Sequence, residues 1–181
     1  PTQGTIQTRV AETASGSGNS GVFNSQEGVL FANIAANDND STNRQMTLSD
    51  GTDTNRLVLK YDNQSNIIQA FNRVNGIETA FLSYSISDIT SFNKCLVKYK
   101  VNDYALWING FEVATDTIST TFPNSTLNDL KFGVVGASSN FYGKTKEIAY
   151  YDTALTDAEL EYMTSYRSLN ELVTELNLNE L

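Results

Sequence analysis

Hydrophobic and polar positions alternate with a period of two along much of this chain. In Phe92–Lys100, Cys95, Val97 and Tyr99 share one face, while Lys94, Lys98 and Lys100 share the other, with Leu96 interrupting the polar side. Successive strand residues point to opposite faces, so this pattern predicts a β-strand with one face in a core. Tyr104-Ala105-Leu106-Trp107-Ile108 leads into Asn109-Gly110, and Phe111, Val113 and Ala114 follow. Both central residues of a type I′ turn need positive φ, which Asn-Gly tolerates well, so the stretch reads as a hairpin. Tyr104, Leu106 and Ile108 form its core face, and Ala105 and Trp107 point the other way. A second hairpin is predicted around Asn75-Gly76, between Ile67–Val74 and Ile77–Tyr84. Glu27–Ala36 is almost continuously apolar and reads as a strand covered on both faces. Asn43–Ser49, Arg56–Tyr61, Leu127–Val135 and Phe141–Tyr151 complete a set of about ten strands joined by short polar turns, the signature of an all-β antiparallel sandwich or barrel.

The ends differ. Thr156-Asp157-Ala158-Glu159 is a capping box, flanked by Leu155 and Leu160 at the staple positions, and predicts a helix over Asp157–Tyr166. Ser168-Leu169-Asn170-Glu171 repeats the spacing and starts a second helix with Leu169, Leu172, Val173 and Leu176 on one face. At the other end, Thr5–Val10 reads as a short edge strand, followed by the flexible loop Ser15–Gly21. The expected organisation is residues 1–26 as an N-terminal strand and Gly/Ser loop, 27–166 as the sandwich, and 167–181 as a terminal helix for docking or oligomerisation.

Composition narrows the function classes. The 181 residues suit one sizeable domain. A net charge of −9 disfavours nucleic acid and anionic membrane surfaces, which are held by Lys and Arg. The same acidity suits a soluble partner, a neutral or cationic glycan, or Ca²⁺. With no histidine, the commonest general base and transition-metal ligand is missing. Cys95 is the single cysteine, so no intrachain disulfide forms, and its mid-strand position marks a small buried hydrophobe. No signal peptide and no apolar run long enough to span a bilayer is present. The chain opens at Pro1 rather than Met, which reads as a fragment or processed product.

Three stretches carry a family resemblance: the start Asn24–Phe31, the hairpin Leu106-Trp107-Ile108-Asn109-Gly110, and the ending Glu147–Asp152 followed by Ala154-Leu155-Thr156-Asp157-Ala158-Glu159-Leu160. Together they resemble laminin-G-like jelly rolls of the concanavalin A-like lectin/glucanase superfamily, most of all modules in phage tail-fibre-like virion proteins of Bacteroidetes phages. The resemblance implies two antiparallel sheets packed face to face and a lectin-like, non-enzymatic module contacting host-surface glycan. It implies a virion or extracellular location, other virion proteins as partners, and a homodimer or trimer. Rim carboxylates that bind Ca²⁺ recur in such modules. A virion structural or decoration module, or a carbohydrate-binding module of a bacterial secreted enzyme, are the alternatives.

Glycosidases need two carboxylates facing one sugar. No strand carries such a pair at even spacing: Glu112 stands alone, and Glu147 and Asp152 fall on opposite faces. For sugar binding, an aromatic ring offers an apolar face and amides supply hydrogen bonds. Trp107 on the outer strand face, and Tyr142 with Asn140 beside it, are the candidates. Asp38 and Asp40, with Asn39 between them, form the candidate calcium loop, and Asp50 with Asp53 a second acidic turn.

Overall fold

The computed structural model describes residues 17–133 and 140–166. They form a sandwich of two five-stranded antiparallel sheets. In chain order the elements are β1 (Glu27–Ala36), β2 (Arg44–Ser49), β3 (Arg56–Tyr61), β4 (Ile67–Val74), β5 (Ile77–Ser85), β6 (Asn93–Lys100), β7 (Tyr104–Ile108), β8 (Phe111–Asp116), β9 (Asp129–Lys131), β10 (Gly143–Tyr151) and the helix α1 (Asp157–Thr164). One sheet runs β10-β1-β6-β7-β8, the other β5-β4-β3-β2-β9. They are named here by their central strands, the β6 sheet and the β3 sheet.

Alternation sets the core. Leu30, Ile34, Val97, Tyr99 and Leu106 from the β6 sheet meet Met46, Leu48, Leu57, Leu59 and Ile68 from the β3 sheet. Each such side chain contributes roughly 1.5–3 kcal/mol by leaving water. Polar ties cross the gap between the sheets. The Tyr61 hydroxyl donates to the Ile34 carbonyl at 2.9 Å, and the Asn72 amide donates to the Tyr104 hydroxyl at 2.6 Å. Cys95 is fully buried, and burial pushes its thiol well above the ordinary range, so it is an inert core residue.

The packing begins before β1. Phe23 meets Tyr150 edge-on at 5.0 Å, and the Ser25 hydroxyl accepts from the backbone N–H groups of Thr126 and Leu127. Residues 19–23 form a turn closed on the Asn19 carbonyl. The predicted edge strand Thr5–Val10 and second helix lie outside the described residues, as does the end of the strand predicted over Leu127–Val135, of which Asp129–Lys131 is formed.

The outer face of the β6 sheet is the second apolar layer. Val29, Phe31, Leu96, Ala105 and Trp107 pack there against Leu160 of α1, with Leu155 and Met163 beside them. The Glu159 carboxylate accepts from the Thr156 backbone N–H at 2.8 Å, so the predicted capping box starts the helix. Two buried lysines of β6, Lys94 and Lys98, hold its ends. Burial alone would lower the Lys98 ammonium, but Asp103 at 2.7 Å and Asp157 at 3.3 Å outweigh it and hold it above its ordinary value. Lys94 donates to the Ser165 carbonyl at 3.0 Å, where the helix dipole favours a cation.

Both predicted Asn-Gly turns have positive φ at both residues: 51° and 81° at Asn75-Gly76, 51° and 90° at Asn109-Gly110. Only the second touches the helix. The Gly110 N–H donates to the Thr164 hydroxyl at 3.1 Å, and a β-carbon at Gly110 would stand 2.6 Å from the Ser165 hydroxyl. A β-carbon at Gly76 would meet nothing within 4 Å. Gly76→Ala is therefore expected to cost only the left-handed-backbone penalty, roughly 1–2 kcal/mol. Gly110→Ala costs more, because it also loosens α1. Urea unfolding of the two variants measures the difference; equal losses would mean that the turn does not support the helix.

Candidate functional site

A sandwich offers two outer faces and two rims of loops. On the β6 sheet, Trp107 points outward as its strand position predicts, but it is 6% exposed beneath α1. This corrects the expectation that its ring meets a sugar. The indole has no free face, because Leu160, some fifty positions further along the chain, covers it.

The other sequence candidates gather at one rim. The Arg44 guanidinium, 3% exposed, donates through Nε to the Tyr142 carbonyl at 2.8 Å and through a terminal nitrogen to Asp40 at 2.8 Å. One buried cation thus joins the Asp38–Asp40 loop to the lead-in of β10, closing that end of the sandwich. The Tyr142 ring is 47% exposed, and the Asn140 amide lies 3.4 Å from its hydroxyl. Asn140 and Tyr142 thus lie side by side at this rim.

The calcium expectation meets a physical obstacle. The hydrogen bond and charge of Arg44 hold the Asp40 carboxyl below its ordinary range, and the Asp38 side chain accepts from the Asn39 N–H at 2.7 Å. Ca²⁺ needs several free oxygens, and a guanidinium on the same carboxylate repels a dication. Among the described residues no group of three or more His, Cys, Asp or Glu is placed to hold a metal. Asp38 and Asp40 fit a salt-bridged turn and do not fit a Ca²⁺ site.

The outer face of the β3 sheet is the surface that sequence reading did not single out. Strand register sets it out in rows. Phe81, Phe71, Val58, Thr47 and Lys131 lie across neighbouring strands, flanked on one side by Ser83, Gln69, Lys60 and Gln45, and on the other by Arg73, Arg56, Ser49 and Asp129. Phe81 is half exposed, Gln45, Thr47, Ser49, Val58 and Gln69 are buried among the larger side chains, and the Phe71 ring centroid lies 5.5 Å from the Arg56 guanidinium and 6.0 Å from the Lys60 ammonium. Lys60 pairs with Asp62 at 2.7 Å, Lys131 with Asp129 at 2.9 Å and Arg56 with Asp53 at 2.6 Å. Burial would raise the Asp62 carboxyl, but Lys60 and the Asn63 and Gln64 amides hold it low. Aromatic rings, an amide and guanidinium groups on a firm sheet can hold a sugar ring and its hydroxyls. The signal was present in Arg56-Leu57-Val58-Leu59-Lys60 and Gln69-Ala70-Phe71-Asn72-Arg73, whose alternate positions are the outward ones.

Residues 13–161 match the family model Laminin_G_3, described as concanavalin A-like lectin/glucanases superfamily. No curated protein matches the chain. Among solved structures, the CBM40 module of the Ruminococcus gnavus IT-sialidase is similar at 18% identity, over 84% of this chain and 94% of that one, with a TM-score of 0.67. A heptameric SAP-like pentraxin from Limulus polyphemus matches at 11% identity, over 87% and 77%, with a TM-score of 0.65. Domain 4 of AbnA, an extracellular arabinanase from Geobacillus stearothermophilus, in complex with arabinotriose, matches at 13% identity, over 82% and 70%, with a TM-score of 0.62. At these identities the likeness is one of fold.

The Arg44–Asp40 pair has a pH signature. A carboxyl lowered in the folded state stabilises the fold above its unfolded pKa and loses that contribution as pH falls through its folded value. Asp40→Asn is therefore expected to narrow the gap between the Tm at neutral pH and the Tm in acid, with added Ca²⁺ leaving the wild-type Tm unchanged. A Ca²⁺-dependent rise in Tm that Asp40→Asn removes would restore the metal site.

Proposed function

Because the chain belongs to the Laminin_G_3 family of the concanavalin A-like lectin/glucanases superfamily, we propose that it is a non-enzymatic carbohydrate-binding module whose ligand lies on the open face of the β3 sheet. One observation carries this: α1 occupies the outer face of the β6 sheet, while the β3 sheet presents Phe71 and Phe81 in register beside Gln69, Lys60, Arg56 and Arg73. Two of the fold relatives are consistent with it, the sialidase module having been solved with α2,3-sialyllactose and the arabinanase domain with arabinotriose. The non-enzymatic reading is supported by Asp53, Asp62 and Asp129 each being paired with a cation, which leaves Glu78 on this face without the second free carboxylate a glycosidase needs. Asn140 and Tyr142 are proposed as a rim contact for the same glycan.

For setting, we propose a tail-fibre-like phage virion protein that meets glycan on the host surface, with other virion proteins and copies of itself as neighbours. Its support is the overall sequence resemblance of roughly residues 24–165 to such modules. A second setting, a binding module of a bacterial secreted enzyme, is favoured by the sialidase and arabinanase origin of two fold relatives.

A glycan array, followed by titration of the best ligand against variants, tests the assignment. Phe81→Ala and Phe71→Ala are each expected to weaken binding by roughly tenfold, about 1.4 kcal/mol, and Phe81→Ala to keep the wild-type fold because its ring is half exposed. Binding that survives both changes but disappears in Tyr142→Ala would move the site to the rim.

A further inference from the structure

The outer face of the β3 sheet gathers cations in an acidic chain, and among the described residues one of them has no partner. The chain has a net charge of −9 and 12 basic residues, yet Arg56, Lys60, Arg73 and Lys131 share this one surface. Lys60, Lys131 and Arg56 have carboxylate partners there. Arg73 differs: among the described residues its guanidinium makes no hydrogen bond and no ion pair.

Its position sharpens the point. Arg73 and Arg56 are direct partners across β4 and β3, and like charges placed opposite each other destabilise a sheet. The Nε atoms of both are buried without a hydrogen-bond partner. Burial and the charge of Arg73 act together to lower Arg56 from its ordinary value, against the pull of Asp53 and Glu78. Glu78 is the register partner of Arg73 beyond a bulge at Asn72/Arg73, yet it is solvent-exposed and forms no ion pair with it. Two adjacent guanidinium groups with unused donors, beside two phenylalanine rings, are half of a recognition site. An anion supplies the missing charge, and a planar carboxylate matches the guanidinium fork by paired N–H···O bonds. The rings one row away suit the C–H face of the sugar that carries it.

We propose that the open face binds glycans through an acidic sugar, with the sugar carboxylate held between Arg73 and Arg56 and the pyranose ring over Phe71 and Phe81. The proposal rests on the carbohydrate-binding reading above and names its ligand class. It replaces the expectation, drawn from net charge alone, of a neutral or cationic glycan.

Calorimetric titration with matched sugars tests it: 3′-sialyllactose against lactose, a glucuronic acid-terminated disaccharide against its glucose counterpart, and 6-sulfated lactose. The acidic member of each carboxylate pair is expected to bind at least tenfold more tightly than its neutral match, and added salt weakens it. Arg73→Gln removes that preference and leaves the Tm unchanged or raised, because it removes one of two opposed like charges. Arg73→Lys, which keeps the charge and loses the fork, falls between. Equal binding of acidic and neutral members, unaffected by Arg73→Gln but lost in Phe81→Ala, overturns the acidic-sugar assignment and leaves the carbohydrate-binding reading standing. Binding of the sulfated sugar alone overturns the carboxylate assignment. No binding of any sugar, here or on a broad glycan array, overturns both.

Discussion

The docking of α1 on Trp107 decides what this sandwich can offer to a partner. An eight-residue helix has too few turns to be stable in water by itself, so it exists because Leu160, Leu155 and Met163 find an apolar bed on the β6 sheet. The contact is fixed at both ends, by Lys98 with Asp157 and by Lys94 with the Ser165 carbonyl, and the Asn109-Gly110 turn abuts its last residues. With the middle of that face covered, its edge strands β8 and β10 stay exposed, and the outer side of the β3 sheet is the other broad surface.

That surface has the makings of a binding face rather than of a solvated one. Its strands are held from behind by the shared core, so its side chains stand on a firm base. Three of its cations are paired with nearby acids, and Arg73, opposite Arg56, is left to be met from outside. In a strongly acidic chain, a guanidinium left without an ion pair is a statement about the partner. The net charge, summed over the whole molecule, points the other way because it averages the face with its surroundings.

Much of the fold is legible in the sequence because its signals are local. Period-two alternation marks β6 and β7, each Asn-Gly marks a hairpin turn, and Thr156 with Glu159 marks the helix start; each is settled within a few residues. Even the outward direction of Trp107 follows from alternation. Its burial does not, because the side chain that covers it, Leu160, is set by tertiary packing. The same limit hid the candidate site. Arg56 and Arg73 become neighbours only when β3 and β4 pair in register, and a loop acid such as Asp40 looks free until Arg44 is seen beneath it. Asn140 and Tyr142, two positions apart, are a local pair, and the structure brings them together.

The central claim, that α1 covers Trp107 on the β6 sheet and the ligand lies on the β3 sheet, is tested most directly by the fluorescence of the single tryptophan. Acrylamide quenching of the native protein, with and without the glycan selected on an array, reads the surroundings of Trp107 alone. The account predicts a blue-shifted emission that resists quenching, that glycan leaves unchanged, and that becomes accessible only on unfolding. An emission typical of solvated indole, readily quenched and then protected by bound glycan, would contradict it and place the ligand on the face assigned here to the helix.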